Sequence, residues 1–323
     1  MVKDKNFHKI VISRIPIVSW LIFRGCNYNC SYCTSRGGTT AISKNIAQQR
    51  RAVDFPPPIF FLDKFSRYLS GSWIFNLCGS GEPFLAPKFL EIVEKLVKTG
   101  YYINLMTNFS APFKKIIKFC EITGENLLNF SASLHLEHAE LKEFLKKALV
   151  VKRIIGNKFS VCSIARKGRV IDLKEIGQIF RDKGIPFIIQ PERDDIKMHY
   201  SGDPFVEYSD RELEIIKDSQ RGTWDKNSLK LKGKLCWAGS KYFVINYEGD
   251  AWRCFPAYND KRKEGYLGNI LEGTFKLNNN PSACLYQCCY CITPNWLRAQ
   301  QKRNLISALE DLKEIINKKI VKC

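Results

Sequence analysis

The sequence predicts an α/β fold: a partial (β/α)6, TIM-like barrel followed by a small cysteine-rich C-terminal domain. Two observations support this. Over residues 18–190, short apolar runs alternate with amphipathic helical patterns, which is typical of parallel βα units. Six of the 13 cysteines then fall between residues 236 and 291, where no further βα unit is predicted.

The elements of the barrel follow in order along the chain. A helix is expected after the proline run at 56–58, and the helix at 87–98 has apolar residues at helical spacing with Gly100 as its cap. Each later strand leads through a short loop into an amphipathic helix. The predicted strands are residues 18–25, 73–78, 101–107, 127–136, 159–165 and 186–190, and the predicted helices are residues 60–69, 87–98, 113–122, 141–151 and 173–183.

Six βα units are too few to close an eight-stranded barrel, so the predicted barrel is open. In βα barrels the active site gathers at the C-terminal ends of the strands. Polar residues that follow the strands are therefore the first candidates for a functional site.

Three cysteines follow the first predicted strand with CxxxCxxC spacing. We call residues 26–33, which contain Cys26, Cys30 and Cys33, the cluster loop. Iron–sulfur clusters are normally held by four thiolates, so three suggest a four-iron cluster with one iron open for chemistry. A zinc loop or an electron-transfer cluster is the alternative interpretation.

A second motif ends the second predicted strand. There Cys78 is followed by the glycine loop, which is Gly79-Ser80-Gly81-Glu82-Pro83. Glycines let backbone carbonyls approach a ligand closely, and such carbonyls accept hydrogen bonds from an ammonium group. An electron carrier or a zinc-stabilised binding protein needs no such loop, so the motif favours an enzyme.

Together the two motifs resemble those of the radical S-adenosylmethionine (radical SAM) superfamily. The resemblance implies that the three cysteines bind a [4Fe-4S] cluster and that S-adenosylmethionine chelates the fourth iron. It also implies that Tyr32 contacts the adenine and that the glycine loop holds the methionine amine. In this family the reduced cluster cleaves the sulfonium and releases a 5′-deoxyadenosyl radical. A flavodoxin- or ferredoxin-type electron donor is therefore expected as a partner.

The strand ends nominate further residues. Asn108 follows the third strand and is a candidate cofactor contact. The family often uses a polar residue of the fourth strand to hold the cofactor ribose, and Ser133 matches that place, although it is also a normal small strand residue. His135 and Glu137 follow the same strand and are candidates to face substrate. A histidine at a strand end also commonly serves as a structural hydrogen-bonding partner.

A second cysteine set lies in the C-terminal third. A predicted hairpin, with its turn at residues 247–250, brings Cys236 and Cys254 toward each other, and Cys288 and Cys291 form a CxxC pair. The set resembles the twitch domain, the shortened relative of the SPASM domain. The resemblance implies that these four cysteines bind one auxiliary [4Fe-4S] cluster. Structural zinc is the alternative for a four-cysteine site.

The ligand assignment in this region leaves alternatives open. Cys284 and Cys289 could replace their neighbours, or they could be buried packing residues. Only Cys323 follows Cys291, so a second auxiliary cluster is not expected.

The predicted domain organisation has five parts. Residues 1–17 form an N-terminal extension, which is too short for a separate peptide-binding domain. The parts are the extension at 1–17, the barrel at 18–190, a bridge at 191–235 with a helix near 211–217, the auxiliary-cluster domain at 236–295 and a C-terminal helix at 296–323.

Residues 34–58 are a long polar segment within the sequence range of the barrel. They are expected to form a lid or binding loop.

Composition points to a cytoplasmic protein that does not associate with a membrane. The charged N-terminus lacks a signal peptide, no apolar run reaches the ~18 residues that span a bilayer, and clustered cysteines suit oxygen-sensitive metal sites in a reducing compartment. The net charge of +19 fits an acidic substrate or simply lysine-rich solvated faces. No nucleic-acid-binding module is evident, so we do not expect a nucleic acid partner.

The combined hypothesis is a radical SAM enzyme with one auxiliary cluster that abstracts hydrogen from an unactivated C–H bond of a ribosomal-peptide substrate. The alternative is the same radical chemistry, giving dehydrogenation, epimerisation or elimination, on a sugar, aminocyclitol or nucleotide sugar. Cys78 is the candidate catalytic residue, as hydrogen-atom donor to a substrate radical. Cys162 or Cys289 is the alternative donor, and Cys78 is otherwise a packing residue.

Overall fold

The computed structural model describes residues 15–33, 56–78, 81–193, 205–219, 232–261 and 263–286. The strands within these ranges are β1 Ile17–Leu21, β2 Ile74–Cys78, β3 Tyr102–Thr107, β4 Leu127–Ser133, β5 Phe159–Ala165, β6 Phe187–Pro191, β7 Leu235–Cys236, β8 Tyr242–Ile245, β9 Asp250–Trp252, β10 Tyr266–Asn269 and β11 Ser282–Ala283. The helices are α1 Phe61–Tyr68, α2 Phe89–Lys98, α3 Phe113–Thr123, α4 Leu141–Ile155, α5 Val170–Arg181, α6 Asp210–Ser219 and α7 Phe255–Asp260.

Nine of these strands form one sheet in the order β10-β9-β8-β1-β2-β3-β4-β5-β6. Strands β1 to β6 pair as successive parallel neighbours. Parallel neighbours need a crossover connection, and helices α1 to α5 lie in these crossovers. The predicted α/β fold built on six parallel strands is therefore confirmed, with α6 packed against β6 and α5.

The C-terminal third extends the same sheet. The predicted hairpin is present as β8 and β9, which pair antiparallel. β8 also pairs in parallel with β1, and β10 adds to β9 on the far side. β7 and β11 form a separate two-stranded ribbon beside it. The predicted domain boundary between residues 235 and 236 stays a prediction. Strands from both sides of this boundary belong to one sheet.

Two strands are shorter than the sequence predicts. β1 ends at Leu21 rather than at residue 25, because the chain leaves the sheet and Gly25 gives its carbonyl to the N–H of Glu82 (2.8 Å). β4 ends at Ser133 rather than at residue 136. The turn that follows β4 carries His135 toward the cluster loop.

Helix α2 ends at Lys98 as its sequence predicts, whereas α4 and α5 end at Ile155 and Arg181 rather than at residues 151 and 183. Helix α2 is followed by Gly100 at φ +89°, where the left-handed backbone favours glycine. The N–H of Gly100 donates to the Val97 carbonyl and the N–H of Tyr101 donates to the Leu96 carbonyl. This Schellman pair satisfies the last carbonyls of the helix and turns the chain into β3.

Two apolar layers hold the sheet. The outer layer lies between strands and helices and contains fully buried aromatic side chains such as Trp20, Phe75 and Phe130. The inner layer covers one end of the opposite face with Ile17 and Tyr242, among others. Within the described residues, no helix combines the length and apolar character needed to cross a bilayer. Most of the predicted 34–58 segment and the predicted helix 296–323 lie outside the described residues.

Replacing Phe130 by alanine should lower the free energy of unfolding by about 3–5 kcal/mol, because its fully buried ring would leave a cavity. Its ring contacts those of Phe109, Phe119 and Phe159 at centroid distances of 5.9, 5.7 and 5.6 Å. Urea unfolding followed by circular dichroism measures the change. Phe60→Ala is the control, since that ring is 60% exposed. Equal losses in both variants would contradict the packing argument.

Candidate functional site: the cluster loop and the glycine loop

The glycine loop packs backbone against backbone on Arg24 and Gly25, the two residues that lead from β1 into the cluster loop. The N–H of Glu82 donates to the Gly25 carbonyl at 2.8 Å. A Cβ on Gly81 would lie 2.2 Å from the Gly25 carbonyl oxygen and 2.7 Å from the Arg24 carbonyl carbon. Backbone atoms cannot give way as a flexible side chain does, so position 81 requires glycine. The contact joins the predicted cofactor loop to the predicted cluster-binding loop.

The carboxylate of Glu82 ties this contact to the next strand. It is 1% exposed and accepts hydrogen bonds from Thr107 Oγ1 (2.7 Å), Asn108 N–H (2.7 Å) and Phe84 N–H (3.1 Å). Burial raises the pKa of Glu82, and these hydrogen bonds oppose that rise. Both carboxylate oxygens are thus used inside the protein, while Pro83 begins a short 3-10 helix behind them.

The turn after β3 has a strained backbone. Phe109 adopts φ +62°, a left-handed conformation that is uncommon for a large side chain. Its N–H donates to Thr107 Oγ1 (3.0 Å) and its carbonyl accepts from Lys147 Nζ (2.8 Å). Such conformations cost on the order of 1–3 kcal/mol and persist where surrounding contacts impose them. Here the strain presents Asn108 to the cluster loop.

Asn108 makes the contacts expected of a residue at the site. Its Nδ2 lies 3.0 Å from Asn27 Oδ1 and 3.7 Å from Cys26 Sγ. Its Oδ1 accepts from the N–H of Ser110 (3.0 Å). The predicted location of Asn108 beside the cysteines is therefore observed, and its role toward a cofactor stays a prediction.

The cysteine side chains suit a metal cluster. The N–H of Tyr28 donates to Cys26 Sγ (3.4 Å), and the N–H of Cys33 donates to the Cys30 carbonyl (3.2 Å). Burial, and next the neighbouring Cys33, raise the pKa of Cys30 to about 12. Thiolates crowded in this loop need a cation, and a coordinated thiol is deprotonated outright. Three thiols in one loop, with N–H···S hydrogen bonding at Cys26, fit a [4Fe-4S] cluster with one iron left for another ligand.

His135 contacts the cluster loop rather than an open substrate space. Burial lowers its pKa to about 4, so the ring is neutral near pH 7, and Nδ1 lies 2.8 Å from the Tyr32 hydroxyl oxygen, within hydrogen-bonding distance. The same nitrogen lies 3.5 Å from Cys30 Sγ. The rings of Tyr32 and His135 stack at an interplanar angle of 17°. This pair fixes the orientation of Tyr32, the predicted adenine contact.

An ion-pair network holds the middle of the cluster loop. Glu137 accepts from the N–H (2.8 Å) and the hydroxyl (2.5 Å) of Ser31, and from Arg166 Nη1 (2.7 Å). Arg166 also lies 3.9 Å from Glu192 and covers the Tyr32 ring at 5.3 Å. Glu137, Arg166 and Glu192 follow β4, β5 and β6. Three strands that are distant from the cluster loop in sequence therefore hold this loop in place. Arg166 was not predicted from the sequence, because no local motif surrounds it.

Polar side chains form a row across the open face of the sheet. Ser19, Asn76 and Asn104 pair in register on β1, β2 and β3. Asn104 Nδ2 donates to Asn76 Oδ1 (2.7 Å), Asn76 Nδ2 to Ser19 Oγ (3.4 Å), and Ser19 Oγ to the Tyr242 hydroxyl (3.4 Å). Strands of a parallel sheet normally form near-continuous apolar runs, so this row is unusual.

Two cysteines lie on strands that line the same face. Cys78 is the last residue of β2, two positions after Asn76, and is half-buried. Cys162 on β5 is buried, with Ser133 Oγ at 3.3 Å and Ser131 Oγ at 3.5 Å. Ser133 is thus placed on the fourth strand as predicted, with its hydroxyl against Cys162.

The auxiliary cysteines are described in part. Cys254 is buried at the end of the hairpin, and Cys236 packs against the same apolar cluster. The N–H of Ala238 donates to Cys236 Sγ at 3.4 Å. Four predicted site residues lie outside the described residues: Gly79, Ser80, Cys288 and Cys291.

An open parallel βα sheet with a three-cysteine loop at its C-terminal edge defines a class of cluster-dependent radical enzymes. The sequence matches the family model described as the Radical SAM superfamily over residues 20–186. The chain therefore belongs to the radical SAM superfamily, whose members are enzymes that use a [4Fe-4S] cluster and S-adenosylmethionine. No curated protein matches the chain.

Solved structures share this fold. SuiB of Streptococcus suis bound to the precursor peptide SuiA has a TM-score of 0.53 and 14% identity, covering 84% of this chain and 68% of SuiB. anSMEcpe with bound AdoMet and the Cp18Cys peptide has a TM-score of 0.52 and 15% identity, covering 80% and 79%. BtrN in an open conformation has a TM-score of 0.41 and 13% identity, covering 80% and 77%.

Gly81→Ala should weaken binding of S-adenosylmethionine by about tenfold or more, because the added methyl group pushes the glycine loop off the cluster loop and displacements near 1 Å can cost ~100-fold. Equilibrium binding to anaerobically reconstituted protein measures this. Gly100→Ala is the matched control, since its positive φ imposes strain with no atom within 4 Å. Equal affinity in both variants would contradict the close-contact argument.

Proposed function

We propose that the protein is a radical SAM enzyme with one auxiliary [4Fe-4S] cluster that abstracts hydrogen from an unactivated C–H bond of a peptide substrate. The observation that carries the proposal is the direct packing of the glycine loop on Gly25, the residue immediately before the cluster loop, through Glu82 N–H and the Gly25 carbonyl. This contact brings a methionine-binding backbone to the side of a three-thiolate site.

Each residue of the site then has a definite task. Cys26, Cys30 and Cys33 would hold the cluster, which with bound S-adenosylmethionine supplies a 5′-deoxyadenosyl radical. Asn108 and the N–H of Tyr28 stabilise the Cys26 sulfur. Glu82 holds the glycine loop in place, and the neutral His135 ring orients Tyr32 for stacking on the adenine.

The polar row supports a polar substrate. Asn104 Oδ1 is buried and has no hydrogen-bond partner among the described residues. It therefore offers an acceptor to an N–H or O–H group that enters the open face of the sheet. A peptide N–H meets this need, and so does a sugar hydroxyl. The two solved structures with TM-scores above 0.5 described above hold peptides, which supports the peptide.

The auxiliary cluster rests on the second cysteine set. We assign it to Cys236, Cys254, Cys288 and Cys291, of which the first two pack against one apolar cluster. The N–H···S bond to Cys236 matches that to Cys26 in the cluster loop. Hydrogen bonds to sulfur are among the factors that set the potentials of iron–sulfur clusters. Zinc at this site is the alternative that metal analysis distinguishes.

Reconstituted protein given dithionite and S-adenosylmethionine should form 5′-deoxyadenosine slowly even without substrate. Changing Cys26, Cys30 and Cys33 together to alanine should abolish this, because no cluster then remains beside the glycine loop. Chromatography of the nucleoside products measures the effect. Cys120→Ala, in the outer core on α3, is the control and should retain formation. Undiminished formation by the triple variant would refute the assignment.

Cys78 is the proposed hydrogen-atom donor to the substrate radical. An S–H bond is weak enough to return a hydrogen atom to carbon, and Cys78 ends β2 immediately before the glycine loop. Its half-buried side chain follows the polar row on the same strand. Cys162 on β5 is the competing donor, but it is buried against the hydroxyls of Ser131 and Ser133 on β4.

Once the substrate is identified, the Cys78→Ala variant should still form 5′-deoxyadenosine. It should yield no epimerised product, because the substrate radical receives no hydrogen atom. Cys162→Ala is the matched control and should retain epimerisation. Mass spectrometry in deuterated solvent detects the hydrogen added at the substrate carbon. Normal product from the Cys78 variant would make Cys78 structural and favour an oxidation that delivers its electron to the auxiliary cluster.

A further inference from the structure

The two-stranded ribbon of β7 and β11 places a third cysteine, Cys284, near Cys236 and Cys254. Cys236 on β7 pairs with Ser282 on β11. The pairing continues one step further, since the N–H of Cys284 donates to the Lys234 carbonyl and the N–H of Gly233 donates to the Cys284 carbonyl, both at 2.9 Å. Residues two apart on a strand share a face, so Cys284 lies on the same face as Cys236.

The separation of these two cysteines suits a cluster. Diagonal neighbours on an antiparallel pair are about 7 Å apart, within reach of side chains that converge on one group. Around a single zinc ion, bonds of about 2.3 Å would bring the sulfurs within roughly 4 Å of one another. A four-iron cluster binds each thiolate at a different iron, so its ligands are more widely spaced.

Cys254, which follows β9 of the nine-stranded sheet, lies in the same apolar cluster as these two cysteines. Cys236 and Cys284 both pack against the apolar cluster that contains Cys254. Arg253, which is 5% exposed, donates to the carbonyls of Ser282 (3.3 Å) and Ala283 (3.2 Å). The residue before Cys254 therefore anchors the strand that carries Cys284.

We propose that Cys284 is a thiolate ligand of the auxiliary iron–sulfur cluster, together with Cys236 and Cys254. This inference rests on the proposed function and changes its ligand set, because Cys284 takes a place that the sequence assigns to the CxxC pair. A [4Fe-4S] cluster has four cysteine ligands, so one remains to be supplied by that pair. The hydrogen-bonded ribbon accounts for a cysteine outside the CxxC motif.

The test uses the full chain with Cys26, Cys30 and Cys33 changed to alanine, so that only the auxiliary site can hold iron. Iron, sulfide and zinc per chain are measured after anaerobic reconstitution with iron and sulfide. This background should bind about four irons, and adding Cys284→Ala should remove most of them. Ser282→Ala is the matched control, since it lies on the same strand and its buried hydroxyl has no partner among the described residues.

A second variant keeps the test decisive if alanine disturbs the ribbon. Cys284→Ser provides an oxygen ligand of similar size and should retain a cluster with a changed electron paramagnetic resonance spectrum in the reduced state. An unchanged spectrum and a full iron content in both Cys284 variants would overturn the role of Cys284 and leave the auxiliary cluster standing. A background without iron, or with zinc in its place, would overturn the auxiliary cluster itself and the role of Cys284 with it.

Discussion

The buried carboxylate of Glu82 is the interaction on which the site depends. It is almost inaccessible to solvent, yet three donors from the ends of β2 and β3 satisfy it. A buried carboxylate without such partners would cost several kcal/mol, so the groups around it must stay in place. Its own N–H holds Gly25. One residue thereby couples the glycine loop, the strained turn at Phe109 and the backbone that leads into the cluster loop.

The sheet has two faces with different chemistry. Helices cover one face with a dense aromatic core, which supplies the stability of the barrel. The other face carries Ser19, Asn76 and Asn104 in one row. Burying these polar side chains costs free energy, which their hydrogen bonds offset. The apolar core and the polar row are thus separated across the thickness of one sheet.

The C-terminal third is attached to the barrel by backbone pairing rather than by a linker alone. β8 lies beside β1, the strand that leads into the cluster loop. The Tyr242 hydroxyl of β8 joins the polar row, while Cys254 follows β9 in the inner apolar cluster. Cys254 and the cluster loop are therefore both positioned by one continuous sheet.

The sequence alone determined the alternation of strands and helices, the open barrel and the two loops, because periodicity, caps and cysteine spacing are local signals. Only the tertiary structure decided the partners of those loops. His135 meets Tyr32 103 residues away and Arg166 meets Ser31 135 residues away. The ribbon pairing brings the strand that leads to Cys284 beside the strand that holds Cys236. Such contacts depend on strand order and register, which no local pattern encodes, so the residues that orient the site became visible only in the folded chain.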